Sequence, residues 1–211
     1  MRPECRAAVA AQVTDDAMRA QVTSWLAADR PLVFARQPCG DVLSNNIAVG
    51  LALPPAQGKR RIALSVAAHD IARYTPPLLL ADAIAHAPAG WQPALSELDT
   101  AAMEIDIELR VFGSLAWQAL SGIQYLTPQS DIDLLWHPQS HAHLQQGIAL
   151  LTQWEQTSGL RADGEVLFGG SSAVSWREWA TLKSGDDQRV LVKHSSSAEL
   201  VAARELLEML A

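Results

Sequence analysis

A mixed α+β architecture in two parts is the fold this sequence predicts, and three observations predict it. Short apolar runs of strand character are interspersed with longer stretches of helical periodicity, so no single period governs the chain. Punctuation at Pro76-Pro77, followed by an Ala/Pro-rich piece through Pro93, separates a first group of elements from a second. A length of 211 residues with 49% hydrophobic content is enough for one large core or two small ones. The expected boundary lies near residue 85, giving a small α+β unit over 1–85 and a second unit over 86–211.

Thr14-Asp15-Asp16 opens a helix to about Ala28, with acidic residues in the first turn where the helix dipole favours them. Strand-like runs follow at Leu32–Ala35, Ile47–Leu53 and Arg61–Val66, punctuated by Pro38, Gly40 and Pro54-Pro55. A short helix, Leu78 to Ala85, lies in the connection. The second unit then reads as helix Ser96–Met103, strand Ile107–Phe112, a Gly113-Ser114 turn, a short helix broken at Gly122, and strand Ile132–Trp136. A helix from about His141 to Gln156 precedes strand Glu165–Phe168, and Gly169-Gly170-Ser171-Ser172 leads into a helix with Trp176 and Trp179. Asp186-Asp187 marks a turn before strand Arg189–Lys193. Ser196 and Glu199 form a capping-box pattern that opens a final helix, with Leu200, Leu207 and Leu210 facing the core.

Composition narrows the function classes. The net charge of −7 argues against nonspecific nucleic-acid binding. No run of 18 apolar residues and no basic-then-apolar leader is present, so a cytoplasmic protein without a membrane span is expected. Cys5 and Cys39 are too few for a disulfide framework and are expected as free thiols. Charge is unevenly spread: between Arg30 and Arg73 six basic residues stand against two acidic ones, so this zone carries +4 and the remainder −11. The zone is a landing place for a phosphate-rich substrate or an acidic partner, or else an ordinary solvated surface.

The chemistry concentrates in Arg110-Val111-Phe112-Gly113-Ser114 and Ser130-Asp131-Ile132-Asp133-Leu134-Leu135. Alternate side chains of a strand share a face, so Asp131 and Asp133 point the same way. Two carboxylates held together repel unless a cation lies between them. Hard oxygen donors with no cysteine nearby select Mg²⁺ or Mn²⁺ over zinc. A Gly-Ser pair where a strand turns into a helix exposes backbone N–H groups and a hydroxyl to an anion. Together these point to phosphoryl or nucleotidyl transfer. His137, His141 and His143 match no familiar zinc spacing, and Ser171 and Ser172 have no His–acid partners arguable from sequence.

The order strand, Gly-Ser, short helix, carboxylate strand resembles the nucleotidyltransferase superfamily that includes DNA polymerase beta. The segments Gly113 to Gln118, Leu120-Ser121-Gly122, Tyr125-Leu126 and Ser130 to Leu135 resemble the core signature of the phosphoribosyl-dephospho-CoA transferases. Gly58 to Leu64, Asp163-Gly164-Glu165, Ala173 to Glu178 and Val190 to Lys193 agree with the same family, so the resemblance spans most of the chain. The 16 residues between Ser114 and Asp131 exceed the superfamily's usual spacing but suit this family.

The resemblance implies a polymerase-beta-like nucleotidyltransferase domain preceded by the small α+β domain. It implies transfer of the phosphoribosyl-dephospho-CoA prosthetic group from a triphosphate precursor to a serine of the apo acyl carrier subunit of malonate decarboxylase, with release of diphosphate. Asp131 and Asp133 match the pair that contacts both Mg²⁺ (or Mn²⁺) ions. The third carboxylate is Glu165 or Asp163, with Glu165 slightly favoured because it lies nearer the strand proper. Gly113 and Ser114 would cradle the triphosphate, Lys193 would reach a phosphate or cap the sheet edge, and Lys59, Arg60 and Arg61 would pair with phosphates or carrier acids. Trp117 and Gln118 match the signature, and Trp176, Trp179 and Gly169-Gly170 would form a slot for the CoA portion or else belong to the core. Another metal-dependent nucleotidyltransferase with a different acceptor, or a non-catalytic carrier-docking module, are the alternatives.

Overall fold

A computed structural model describes residues 1–37, 45–182 and 188–210, and it divides into two compact units, 1–76 and 77–211. The expected punctuation at Pro38 and Gly40, Cys39, and the Asp186-Asp187 turn lie outside the described residues. The mixed α+β class holds in both units.

In the first unit, strands β1 (Val33–Phe34), β2 (Asn46–Ala52) and β3 (Arg61–Ala67) form an antiparallel sheet in that order. Helices α1 (Arg6–Ala10) and α2 (Asp16–Ala27) belong with it. Asp15 caps α2, its side chain accepting from the Met18 N–H at 2.8 Å. One sheet face carries Val49, Leu51, Ile62, Leu64 and Val66, all buried, as are Val22, Trp25 and Leu26 of α2. The Gln12 side-chain amide pairs with both backbone groups of Ser65, so the free edge of β3 is satisfied at that residue without another strand.

The second unit is a seven-stranded sheet in the order β10-β9-β8-β7-β6-β5-β4. Its strands are β4 (Leu78–Leu79), β5 (Arg110–Val111), β6 (Ile132–Trp136), β7 (Ala162–Phe168), β8 (Ser172–Ser175), β9 (Arg189–Lys193) and β10 (Ala198–Ala202). Among the described residues only β6 and β7 run parallel, and α6 (His141–Ser158) makes the long crossover such a pair requires. The remaining helices are α3 (Leu80–Ile84), α4 (Gln92–Glu104), α5 (Gly113–Ser121), α7 (Trp176–Ala180) and α8 (Ala203–Glu208). Ile132, Leu134, Trp136, Val166, Phe168, Val174, Val190 and Val192 form the sheet's buried layer, joined in one core by Leu95 and Leu98 of α4 and Leu144 and Leu151 of α6. The Trp154 indole ties α6 to α4 by donating to the Ala94 carbonyl at 2.7 Å.

Four expectations differ from the structure. The division falls at Pro76, not near 85, because Leu78–Leu79 pair with β5 and the helix that follows packs Leu80 and Ala83 into the second unit's core. The strand expected over Ile107–Phe112 is confined to Arg110–Val111, although Ile107 and Leu109 are buried. Ser172 lies in strand β8, which forms a hairpin with β7, so α7 begins only at Trp176. The final helix does not open at Ser196: residues Ala198–Ala202 pair antiparallel with Arg189–Lys193, and α8 starts at Ala203. A full strand ladder outweighs the local capping signal there. Leu200 sits opposite Leu191 and is 59% exposed, whereas Leu207 and Leu210 pack against the core as expected.

Candidate active site

The alternation of β6 and β7 divides their residues cleanly. Ile132, Leu134 and Trp136 are buried, while Asp133 and Leu135 on β6, and Asp131 just before it, share the opposite, half-buried face. The parallel register sets Asp133 beside Asp163 and Leu135 beside Glu165. Residues in register point to the same side, so four carboxylates from two adjacent strands lie on one face. Glu165 pairs in turn with Ser175 on β8, and Ala173 on β8 with Lys193 on β9. Lys193 reaches across this face, its Nζ 2.7 Å from Glu165 Oε1.

The start of α5 meets the same face. Phe112 donates its backbone N–H to the Asp133 carbonyl at 3.0 Å, and the chain then turns through Gly113 at φ +60°. A β-carbon on Gly113 would lie 1.8 Å from Asp133 Oδ2, so only glycine lets the helix start come this close to the carboxylate. Ser114 follows, half-buried in the first turn of a nine-residue helix whose N-terminal N–H groups favour anions.

Around the carboxylates the partners are unequal. Asp163 Oδ1 accepts from the Gly164 N–H at 2.8 Å, and Asp131 lies 3.4 Å from the Arg161 guanidinium. Gly164 has φ +124°, and a β-carbon there would stand 1.9 Å from the Leu134 carbonyl oxygen, so β7 approaches β6 closely between the two acids. The donor set is all oxygen, which suits a hard divalent cation. Among the described residues no three His, Cys, Asp or Glu side chains are gathered closely enough to coordinate one as they stand. Ligation by Asp163 would require its Oδ2 or release of the Gly164 bond.

The other expected residues fall into distinct roles. Gln118 braces the loop before β6: its amide donates to the His86 carbonyl at 2.5 Å and accepts from the Tyr125 and Leu126 N–H groups at 2.9 and 3.0 Å. Trp117 is buried and stacks on Tyr125 at 5.9 Å. Trp176 and Trp179 are buried core residues, Trp179 packing on Phe168 at 4.9 Å, which favours the core reading over a slot. His143 is buried and bonded through both ring nitrogens, to the Gln139 N–H and the Ile105 carbonyl, so it holds α6 in place and does not join a metal site with His141. His137 follows the end of β6 in line with the acidic face, and partial desolvation of this exposed ring, with Arg110 adding to it, lowers its pKa below the usual histidine value. Lys59 and Arg60 are exposed on the turn between β2 and β3 of the first unit, and Arg61 is exposed at the start of β3. Cys5 is a free thiol.

Sequence reasoning passed over Arg161, Gly164, Glu155 and Arg177 as site residues. Arg161 carried a signal, since it precedes Asp163 by the strand period. Gly164 carried one too, as a glycine between two acids inside a strand. The Glu155–Arg177 contact joins residues distant in sequence and left no local mark.

A two-unit α+β protein with an acidic sheet face against a glycine-led helix start defines the class, and comparison with known proteins defines the family. The model of the phosphoribosyl-dephospho-CoA transferase MdcG C-terminal domain matches residues 79–204, and that of the N-terminal domain matches residues 4–77. A phosphoribosyl-dephospho-CoA transferase of Xanthomonas campestris pv. campestris (strain 8004) is 42% identical over 93% of this chain and 90% of its own length. One from Xanthomonas axonopodis pv. citri (strain 306) is 40% identical over 90% and 87%, and one from Bradyrhizobium diazoefficiens is 39% identical over 64% and 60%. No solved structure matches. The chain belongs to the phosphoribosyl-dephospho-CoA transferase family and is a transferase. Among the described residues no helix is long and apolar enough to cross a membrane.

Proposed function

We propose that this transferase moves the phosphoribosyl-dephospho-CoA group from its triphosphate precursor to a serine of the apo acyl carrier subunit of malonate decarboxylase, as a Mg²⁺- or Mn²⁺-dependent, polymerase-beta-like nucleotidyltransferase of the cytoplasm. The observation that carries the reading is the meeting of Asp133 with the Gly113 helix start, with Asp163 in register beside it. The serine oxygen bonds to the α-phosphorus, the bond from that phosphorus to the bridging oxygen of diphosphate breaks, and the hydroxyl proton passes to a carboxylate oxygen of the acidic face. The N–H groups at the start of α5 and the Ser114 hydroxyl bind the phosphates. Asp131, Asp133 and a third carboxylate hold the divalent ions, which when bound supply positive charge against the charge building on the phosphates.

Sequence alone leaned to Glu165 as the third carboxylate. Register favours Asp163, which neighbours Asp133, whereas Glu165 neighbours Leu135 and already holds the Lys193 ammonium. With Glu165 orienting it, Lys193 faces the departing diphosphate. Comparison of Asp163→Asn with Glu165→Gln tests the assignment: the first should lower kcat about 10³-fold, the second by far less and mainly through donor KM. The reverse ranking would return the role to Glu165.

A further inference from the structure

Ala162, the first residue of β7, has an unusual pair of partners. The Arg161 carbonyl accepts from Ile132 on β6, so by strand alternation the N–H and C=O of Ala162 face away from β6, toward β8. β8 does not reach it, because pairing with β7 ends at Glu165 and Ser175, where the chain turns into α7. Two side chains complete the ladder instead. Glu155 Oε1, from α6, accepts the Ala162 N–H at 2.7 Å, and Arg177 Nη2, from α7, donates to the Ala162 carbonyl at 2.5 Å. The same Nη2 also donates to Glu155 Oε1, closing the ring of contacts, and the guanidinium rests 4.8 Å over the Trp176 indole.

We infer that Glu155 and Arg177 are positioning residues for the acidic face: by fixing both backbone groups of Ala162 they set the carboxylate of Asp163 beside Asp133. The inference rests on the proposed metal-binding role of that face. The ion pair is half-buried, so its worth lies less in stability than in geometry, and both charges also meet backbone groups. Both contacts come from the single Nη2, whose two N–H bonds are fixed in the guanidinium plane, whereas a lysine ammonium carries its three donors on a freely rotating, flexible stem. Supporting groups behind metal ligands alter affinity by about 10–100-fold when removed.

The test measures Mn²⁺ binding to the purified full chain by electron paramagnetic resonance, with kcat and donor KM measured separately, in wild type, Arg177→Gln, Arg177→Lys and Asp133→Asn. A Mn²⁺ Kd about tenfold weaker in Arg177→Gln, a comparable fall in kcat, and a donor KM within about threefold of wild type are expected. Arg177→Lys should recover part of the loss. Faster hydrogen exchange at the Ala162 amide should accompany the change. If Arg177→Gln does not fold, Arg177→Lys carries the comparison and must itself show weaker Mn²⁺ binding. A folded variant with lowered Tm but wild-type Mn²⁺ affinity and kcat would make the clamp structural only and overturn the inference. Should Asp133→Asn also bind Mn²⁺ like wild type, the failure lies with the metal reading of the face and not with the clamp alone.

Discussion

Gly113 and Asp133 occupy one another's space so closely that each constrains the other's identity. Alanine at 113 must hold φ near +60°, a strain of about 1–2 kcal/mol, and its methyl falls on the Asp133 carboxylate. The carboxylate is the movable party, so Gly113→Ala should fold with a modest loss of stability while activity falls by about 10²-fold or more as Asp133 is displaced. Thermal unfolding beside steady-state kinetics checks this; a variant with near-normal kcat would show that the close approach is incidental. Asp131 and Asp133 were legible in the sequence because a strand's two-residue period places them locally. The pairing that sets Asp163, and not Glu165, beside Asp133 was not, because it depends on the register between β6 and β7, a non-local property. Both acids satisfy the same alternation within β7, and only the neighbouring strand tells them apart.

Elements with an uninterrupted local pattern were read well. α2 with its Asp15 cap, α6 behind Ser140, and strand Ile132–Trp136 all appear close to where periodicity and capping place them. Hairpins of the C-terminal half were less legible. Ser172–Ser175 and Ala198–Ala202 acquire strand structure from their neighbours, and in the second case against a helix-start signature at Ser196 and Glu199. The His194 N–H bonds to the Ser197 carbonyl at 2.8 Å, which turns the chain before a helix can nucleate. Leu200 decides between the two descriptions. As an exposed strand residue opposite Leu191, it should tolerate Leu200→Thr with a change within about 0.5 kcal/mol. A core-facing helical leucine would lose about 2 kcal/mol or more. Denaturant unfolding of the single variant separates the outcomes.

The two units differ in charge as well as in fold. Residues 1–76 hold nine Lys or Arg against six Asp or Glu, net +3, and residues 77–211 hold seven against seventeen, net −10. An acidic carrier would be repelled by the second unit's charge and drawn to the first. Replacing Lys59, Arg60 and Arg61 together by alanine should raise KM for the carrier and flatten its dependence on ionic strength, because a screened long-range attraction is what the change removes. A defect in donor KM instead would place the triphosphate on this turn, and no change in either would make it ordinary surface. Division of the chain was legible from its prolines, but the position of the cut was not, because Leu78 and Leu79 gain their strand partner only from β5.

The proposed chemistry belongs to the acidic face of β6. Its most direct test is the single-turnover rate of diphosphate release by Asp133→Asn at saturating Mn²⁺, triphosphate donor and apo carrier, on protein shown to be folded by its thermal transition. Loss of one ligand from a two-ion site should slow release by about 10³-fold, roughly 4 kcal/mol of transition-state stabilisation. A folded Asp133→Asn protein releasing diphosphate at close to the wild-type rate would contradict the account.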